Sequence, residues 1–204
     1  MPPDAVVLAF DTSAAHCAAA LLCSGRVMCS HAEPMAKGQA ERLLPMIEEM
    51  MATQGVALAD LTGIAVGTGP GNFTGIRIAV SLARGLALGL GVPAVGVTGF
   101  QAVSHMAGMA AGIEGPHWVA IDAPRGQVYA QRFVPLGAPV IRDATFVFDA
   151  PVLRMADLTP DQLVRGIADV GAGLLAAPQP RPAPFYLRGA DAAPPSDPPP
   201  VILP

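Results

Sequence analysis

Val6-Val7-Leu8-Ala9-Phe10-Asp11-Thr12-Ser13 is an apolar run that closes on an aspartate and turns at once, the signature of a buried strand ending in an Asp-stabilised turn. The same figure returns further along. Trp118-Val119-Ala120-Ile121-Asp122 is followed by a turn through Pro124, Arg125 and Gly126 and an outgoing strand over 128–134. Leu8-Ala9-Phe10-Asp11 thus lines up with Val119-Ala120-Ile121-Asp122, each leading into a turn and a hairpin. Self-similarity of this kind points to an internal duplication, although strands often end on Asp by chance.

Outward from the first copy, strands are expected at 6–10, 18–22 and 26–30. A helix over 39–53 carries Leu43, Ile47 and Met50 on one stripe, broadened by Leu44, Met46 and Met51, with Pro45 placed to kink it. A short parallel strand at 64–66, a helix over 74–90, a strand at 94–97 and a helix over 100–111 complete a βββαβαβα order, an α/β layer arrangement. Beyond Asp122 the pattern is meagre. It gives strands near Val140 and Phe146, a helix over 161–167, a short strand into Gly171, and a proline-rich extended tail over 178–204. The division is a first lobe over 1–112 and a shortened second lobe with its tail over 113–204.

The most specific stretch joins the strand at 64–66 to the following helix: Gly67-Thr68-Gly69-Pro70-Gly71-Asn72-Phe73-Thr74-Gly75-Ile76-Arg77. Its glycines fit either close strand-to-helix packing or a concavity of N–H groups sized for an anion. A lysine-bearing phosphate loop is excluded, because the only lysine is Lys37. The dinucleotide fingerprint also fails: Gly75 comes one residue late, and no acidic residue follows at the required distance.

A chain of 204 residues that is 52% hydrophobic and 14% charged buries a sizeable core. Its net charge of −4 gives no basic footprint for autonomous nucleic-acid binding. Cys17, Cys23 and Cys29 match no zinc spacing and read as small core residues in a reducing cytosol. Met1-Pro2-Pro3-Asp4 lacks a basic leader, so the expected location is cytoplasmic. Residues 85–113 carry no Asp, Glu, Lys or Arg, but glycines and Pro93 divide them into pieces too short to cross a bilayer.

The helix over 74–90 is apolar nearly all round. Gly75, Ala79, Ala83, Ala87 and Gly91 recur every four residues as a flat side, Ile76, Val80 and Leu88 form a second side, and Ile78 and Leu82 a third. Such a helix needs cover from two directions, either from a protein partner or from the chain's own helix over 100–111. Arg77 and Arg84 stand one heptad apart, placed to rim a contact or to serve an anion.

Asp11-Thr12-Ser13, Glu41-Arg42-Leu43-Leu44-Pro45-Met46, Gly69 through Arg77, Ile121 through Tyr129, and Tyr186-Leu187-Arg188 together resemble the TsaB family, the dimerization subunit of bacterial tRNA threonylcarbamoyladenosine biosynthesis. The resemblance runs from about Val6 to Val134 and returns more weakly over 169–188. It implies the actin-like fold of sugar kinases and heat-shock ATPases, with duplicated βββαβα lobes and a shortened second lobe. It also implies a noncatalytic subunit that binds and activates TsaD, the subunit that transfers threonylcarbamoyl to the adenosine beside the tRNA anticodon. The ATPase TsaE would join them, tRNA would be reached through the complex, and the free chain would form a homodimer.

Carried onto this sequence, docking is expected on the helices at 39–51 and 74–90 through Leu43, Met46, Ile47, Met50, Ile76, Val80, Arg84 and Leu88. The loop residues Gly69, Gly71, Asn72, Thr74, Gly75 and Arg77 would hold the second helix in place. Asp11, Thr12 and Ser13, with Gly171 and Gly173, are candidates for the nucleotide side. No cofactor is otherwise expected, ATP and Mg²⁺ being admitted only weakly or at the complex interface. The catalytic relatives place two histidines four apart on the first long helix; here that helix has none, and His16, His31, His105 and His117 are scattered. The alternative is an actin-fold phosphotransferase acting on a small substrate with Asp11 and Asp122 as carboxylates. A peptidase is disfavoured for want of a nucleophile with a paired base.

Overall fold

The structure, a computed structural model, describes residues 5–134, 136–143 and 145–188. The first half contains β1 (Val6–Asp11), β2 (His16–Cys23), β3 (Arg26–Pro34), α1 (Gln39–Thr53), β4 (Gly63–Gly67), α2 (Phe73–Leu90), β5 (Ala94–Val97) and α3 (Gly99–Ala111). Its five strands form one sheet in the order β3-β2-β1-β4-β5. The hairpin strands are antiparallel, and β4 and β5 run parallel to β1.

The second half contains β6 (His117–Ala123), β7 (Gln127–Phe133), β8 (Val140–Asp143), β9 (Val152–Arg154) and α4 (Pro160–Leu174). Its sheet has the order β8-β7-β6-β9, again with an antiparallel β6-β7-β8 meander and a parallel fourth strand. The two sheets repeat one topology, so the likeness of the Asp11 and Asp122 segments extends to whole lobes of an actin-like α/β fold. The second copy is reduced. Among the described residues, β8 reaches β9 without a crossover helix, and no fifth strand follows.

Alternation along the strands of the first sheet builds two cores. Leu8, Phe10, Cys17, Ala19 and Leu21 point to the side covered by α1 and α2, while Val7, Ala9, Ala18, Ala20 and Leu22 point to the side covered by α3 and α4, as the two-residue period of a strand requires. The second core also takes in Val119, Ile121, Tyr129 and Leu153 of the second sheet, so both halves share it.

The helix expected over 161–167 with a strand into Gly171 is instead the single helix α4. Thr159 caps it by accepting from the Gln162 N–H, Gln162 caps back onto the Thr159 N–H, and Pro160 occupies the first turn. Gly171 lies within α4, packed on β4 so tightly that a Cβ would stand 2.3 Å from the Cβ of Ala65. It is a contact glycine on the floor of the first sheet. Gly173, one turn's edge away, is exposed near the helix end. The strand expected to lead into Gly171 is therefore corrected: Gly171 and Gly173 both lie in helix, because the apolar stripe Leu163, Val164, Ile167, Ala168 and Ala172 carries it through them.

No strand forms at Phe146. Its ring packs edge-on against Trp118 and Phe148, and the Trp118 Nε1–H donates to Asp149 at 2.7 Å. Pro45 sits within α1, which runs unbroken from Gln39 to Thr53. The proline-rich segment is described as far as Arg188; the rest of the expected tail lies outside the described residues.

Candidate functional site

The turn after β1 and the loop before α2 are built as one unit. Asp11 is buried and its Oδ2 accepts from the Ser13 N–H at 3.0 Å, the Ser13 Oγ–H at 2.9 Å and His16 Nε2 at 2.7 Å. The Thr12 hydroxyl donates to the Gly75 carbonyl at 2.6 Å, and the Asn72 N–H donates to the Ser13 carbonyl at 2.6 Å. Asn72 also caps α2, its side-chain oxygen accepting from the Gly75 N–H.

This clip explains the loop's glycines. A Cβ at Gly71 would lie 2.1 Å from the Ser13 carbonyl oxygen, and one at Gly75 would lie 1.9 Å from that of Thr12. Of the two readings open in the sequence, close packing is the one realised. The N–H groups of Asn72, Gly75 and Ile76 are spent on Ser13 and on the helix cap rather than turned to an anion. Arg77 is likewise engaged: its guanidinium lies 3.8 Å from the Phe73 ring centre, its Nε–H donates to the Tyr186 hydroxyl at 2.9 Å, and Tyr186 stacks on Phe73. The neighbouring Phe185 N–H donates to the Thr68 carbonyl at 2.8 Å. The segment after α4 thus straps the start of α2. Tyr186-Leu187-Arg188 stood out in the sequence as a motif, but nothing in its pattern pointed to Phe73 and Arg77.

Of Asp11, Thr12 and Ser13, Ser13 reaches a cleft between the lobes, a cavity of about 620 Å³, with Asp11 and Thr12 buried behind it. Ser13, His16 and Gln39 line one side, Pro70, Gly71 and Asn72 the back, and Asp122, Pro124, Tyr129 and the β9–α4 connection the other. The two aspartate turns of the duplication therefore meet here. One oxygen of Asp11, Oδ2, is engaged by three donors, whereas Asp122 is exposed. Among the described residues, no three His, Cys, Asp or Glu side chains come together as a metal site.

The second candidate surface is the outer side of α1 and α2, where the expected docking residues divide sharply. Leu43, Met46, Ile47, Met50, Ile76 and Val80 are all buried in the core between these helices and the first sheet. They face the chain's own sheet, because the stripe with the strongest apolar periodicity is the one folding consumes first. The flat stripe of Gly75, Ala79 and Ala83 faces inward with them. Only Leu88, at 81% exposure, and Arg84 lie outside.

The outward side of α2 carries Ser81, Gly85 and Gly89, with open space over both glycines, flanked by half-buried Ile78, Leu82 and Leu86. α2 has a mean hydropathy of 1.4 and is long and apolar enough to cross a membrane by composition alone, yet one side of it is committed to this core. Apolar residues thus remain on its other side.

A family model described as TsaD, tRNA N6-adenosine threonylcarbamoyltransferase, matches residues 32–168. In sequence the chain is 38% identical over 123 residues to the tRNA threonylcarbamoyladenosine biosynthesis protein TsaB of Escherichia coli strain K12, covering 60% of this chain and 52% of that protein. It is 32% identical over 173 residues to an uncharacterized protein of Mycobacterium tuberculosis, covering 78% and 79%. In structure it is similar to YeaZ from Pseudomonas aeruginosa, with a TM-score of 0.70 and 30% identity over 83% of this chain and 93% of that one. The chain spans about half the length of the curated TsaB proteins it matches. Sequence identity, the clipped glycine loop on a duplicated actin-like frame and the shared fold converge on one assignment: the chain belongs to the TsaB family.

Proposed function

We propose that this protein is a noncatalytic subunit in tRNA threonylcarbamoyladenosine biosynthesis, docking through the outer side of α1 and α2 onto the TsaD subunit and biasing it toward its active conformation. The observation that carries the reading is the outward strip of α2, where Leu88 stands 81% exposed after Ile76, Ala79, Val80 and Ala83 have been buried and Ile78, Leu82 and Leu86 have been half-buried at the edge of that core. Ser81, Gly85 and Gly89 beside it leave room for a second helix to approach closely. Activation by such a subunit requires differential contact with the active state. TsaE joining the pair, tRNA reached through TsaD, a homodimer of the free chain through the same stripe and a cytoplasmic location all belong to this reading.

Leu88→Glu places a carboxylate on the outward strip without entering the core. Pull-down and tRNA modification assays with TsaD from the same organism should show binding and modification lost while the fold is kept. Modification at wild-type level would overturn the docking assignment. The alternative phosphotransferase reading, with Asp11 and Asp122 as carboxylates, would be favoured instead by thermal stabilisation of the isolated chain by Mg-ATP.

A further inference from the structure

The cleft between the Asp11 and Asp122 turns has the size of a small-molecule site, which typically spans roughly 300–1,000 Å³ and is mainly apolar with a few placed polar groups. Its apolar walls are Pro70, Pro124, Tyr129, Met155, Leu158 and Leu163. Counting donors and acceptors on the remaining groups gives a consistent sign. His16 is buried and lines the cavity. Its Nε2 lies 2.7 Å from a carboxylate that can only accept, so Nε2 carries the proton. Among the described residues nothing is bonded to its Nδ1, and the ring and the Asp11 carboxylate form a closed pair.

Gln39 supplies an acceptor. Its amide nitrogen donates to the carbonyls of Ala14 and His16, which fixes the orientation of the amide and leaves Oε1 to accept. Ser13 has spent its hydroxyl proton on Asp11. Asp122 adds an exposed carboxylate at the rim. Asn72 is the exception, because its oxygen caps α2 and its NH₂ is left to donate. No lysine or arginine is among the lining residues. A cavity that offers the Gln39 oxygen and the Asp122 carboxylate, with no lysine or arginine in its lining, disfavours a polyphosphate and suits a group with several donors and no acceptor, which is an ammonium.

We propose that this cleft binds a small organic amine, its ammonium held by Asp122 and Gln39 Oε1 and its apolar or aromatic body against Tyr129, Met155 and Leu163. The site is independent of the α1–α2 surface, so its occupant acts as a ligand of the subunit rather than as part of docking.

The test is calorimetric titration of the full chain with 2-phenylethylamine, tyramine and agmatine. 2-Phenylethanol, 3-phenylpropionate and Mg-ATP serve as comparators, with ¹⁵N spectra recorded of the backbone. The expected result is saturable binding of at least one amine, at least about tenfold tighter than the alcohol, the scale of one charge-assisted hydrogen bond. Neither 3-phenylpropionate nor Mg-ATP should bind. Shifts should fall on Ser13, Asn72 and Tyr129. Ala156→Trp, at an exposed lining position, should abolish binding, and Asp122→Asn should weaken it about tenfold without changing the melting temperature. No binding by any of the three amines, equal binding of the alcohol, preference for Mg-ATP, or binding that survives Ala156→Trp would overturn the proposal.

Discussion

At the scale of residues, the Asp11 turn and the Gly71–Gly75 loop act as a buried fastener, and its parts are separable. Gly75→Ala drives a methyl to 1.9 Å from the Thr12 carbonyl, and the two hydrogen bonds on either side prevent easy recoil. Urea unfolding should show a loss of about 3 kcal/mol, the scale of overpacking against backbone. Asn72→Ala removes only the α2 cap and should cost about 1 kcal/mol in the same measurement. A different residue sets a pH dependence. Hydrogen bonds first from Arg42 and then from His31 hold the Glu33 carboxyl well below its ordinary range, at about 2. A depressed carboxyl stabilises the fold fully above its unfolded value, near ~4.3, and that contribution fades as pH falls toward 2. Stability curves of wild type and Glu33→Gln should therefore differ at neutral pH and converge through that acid window; curves that stay parallel would contradict the pairing. The fastener was half legible in the sequence. Glycine spacing announced a tight loop, but whether its N–H groups faced an anion or the neighbouring turn depended on Asn72 meeting Ser13, two residues far apart in the chain.

At the scale of elements, α2 carries the instructive discrepancy. Its length, cap and all-round apolarity were plain from residues 74–90, and the helix forms with one further residue at its start. Which side faced the sheet was not, because three apolar stripes compete and periodicity does not rank them. The sheet takes the stripe of Ile76, Ala79, Val80 and Ala83, whose size and spacing fit under β1 and β4. Ile76→Glu should accordingly fail as a docking probe: it buries an unpaired charge and should cost the fold about 3–5 kcal/mol, seen as lost cooperativity in circular dichroism melts. Leu88→Glu, at an exposed position, should melt close to wild type. α4 was misplaced for a related reason. Gly171 and Gly173 looked like a turn in one dimension, while the contact that needs Gly171, against Ala65 of β4, joins opposite halves of the chain.

At the scale of the molecule, duplication supplies the frame and its incompleteness shapes how α2 is held. The repeated strand-aspartate turn located both sheets, and their topologies agree. The reduced second copy leaves α4 packed on the first sheet and sends the following segment back to clamp α2 through Tyr186, Phe73 and Arg77. Tyr186→Ala should loosen that clamp, raising amide exchange in the first turn of α2 while leaving the sheet protected. The central claim is that a stable actin-like body presents the outer side of α2 to a catalytic partner. Light scattering after size-exclusion chromatography of the chain, alone and mixed with TsaD from the same organism, tests this most directly. The account predicts a one-to-one complex that is absent for folded Leu88→Glu. A complex unaffected by Leu88→Glu, or no complex at all in the presence of nucleotide and tRNA, would contradict it.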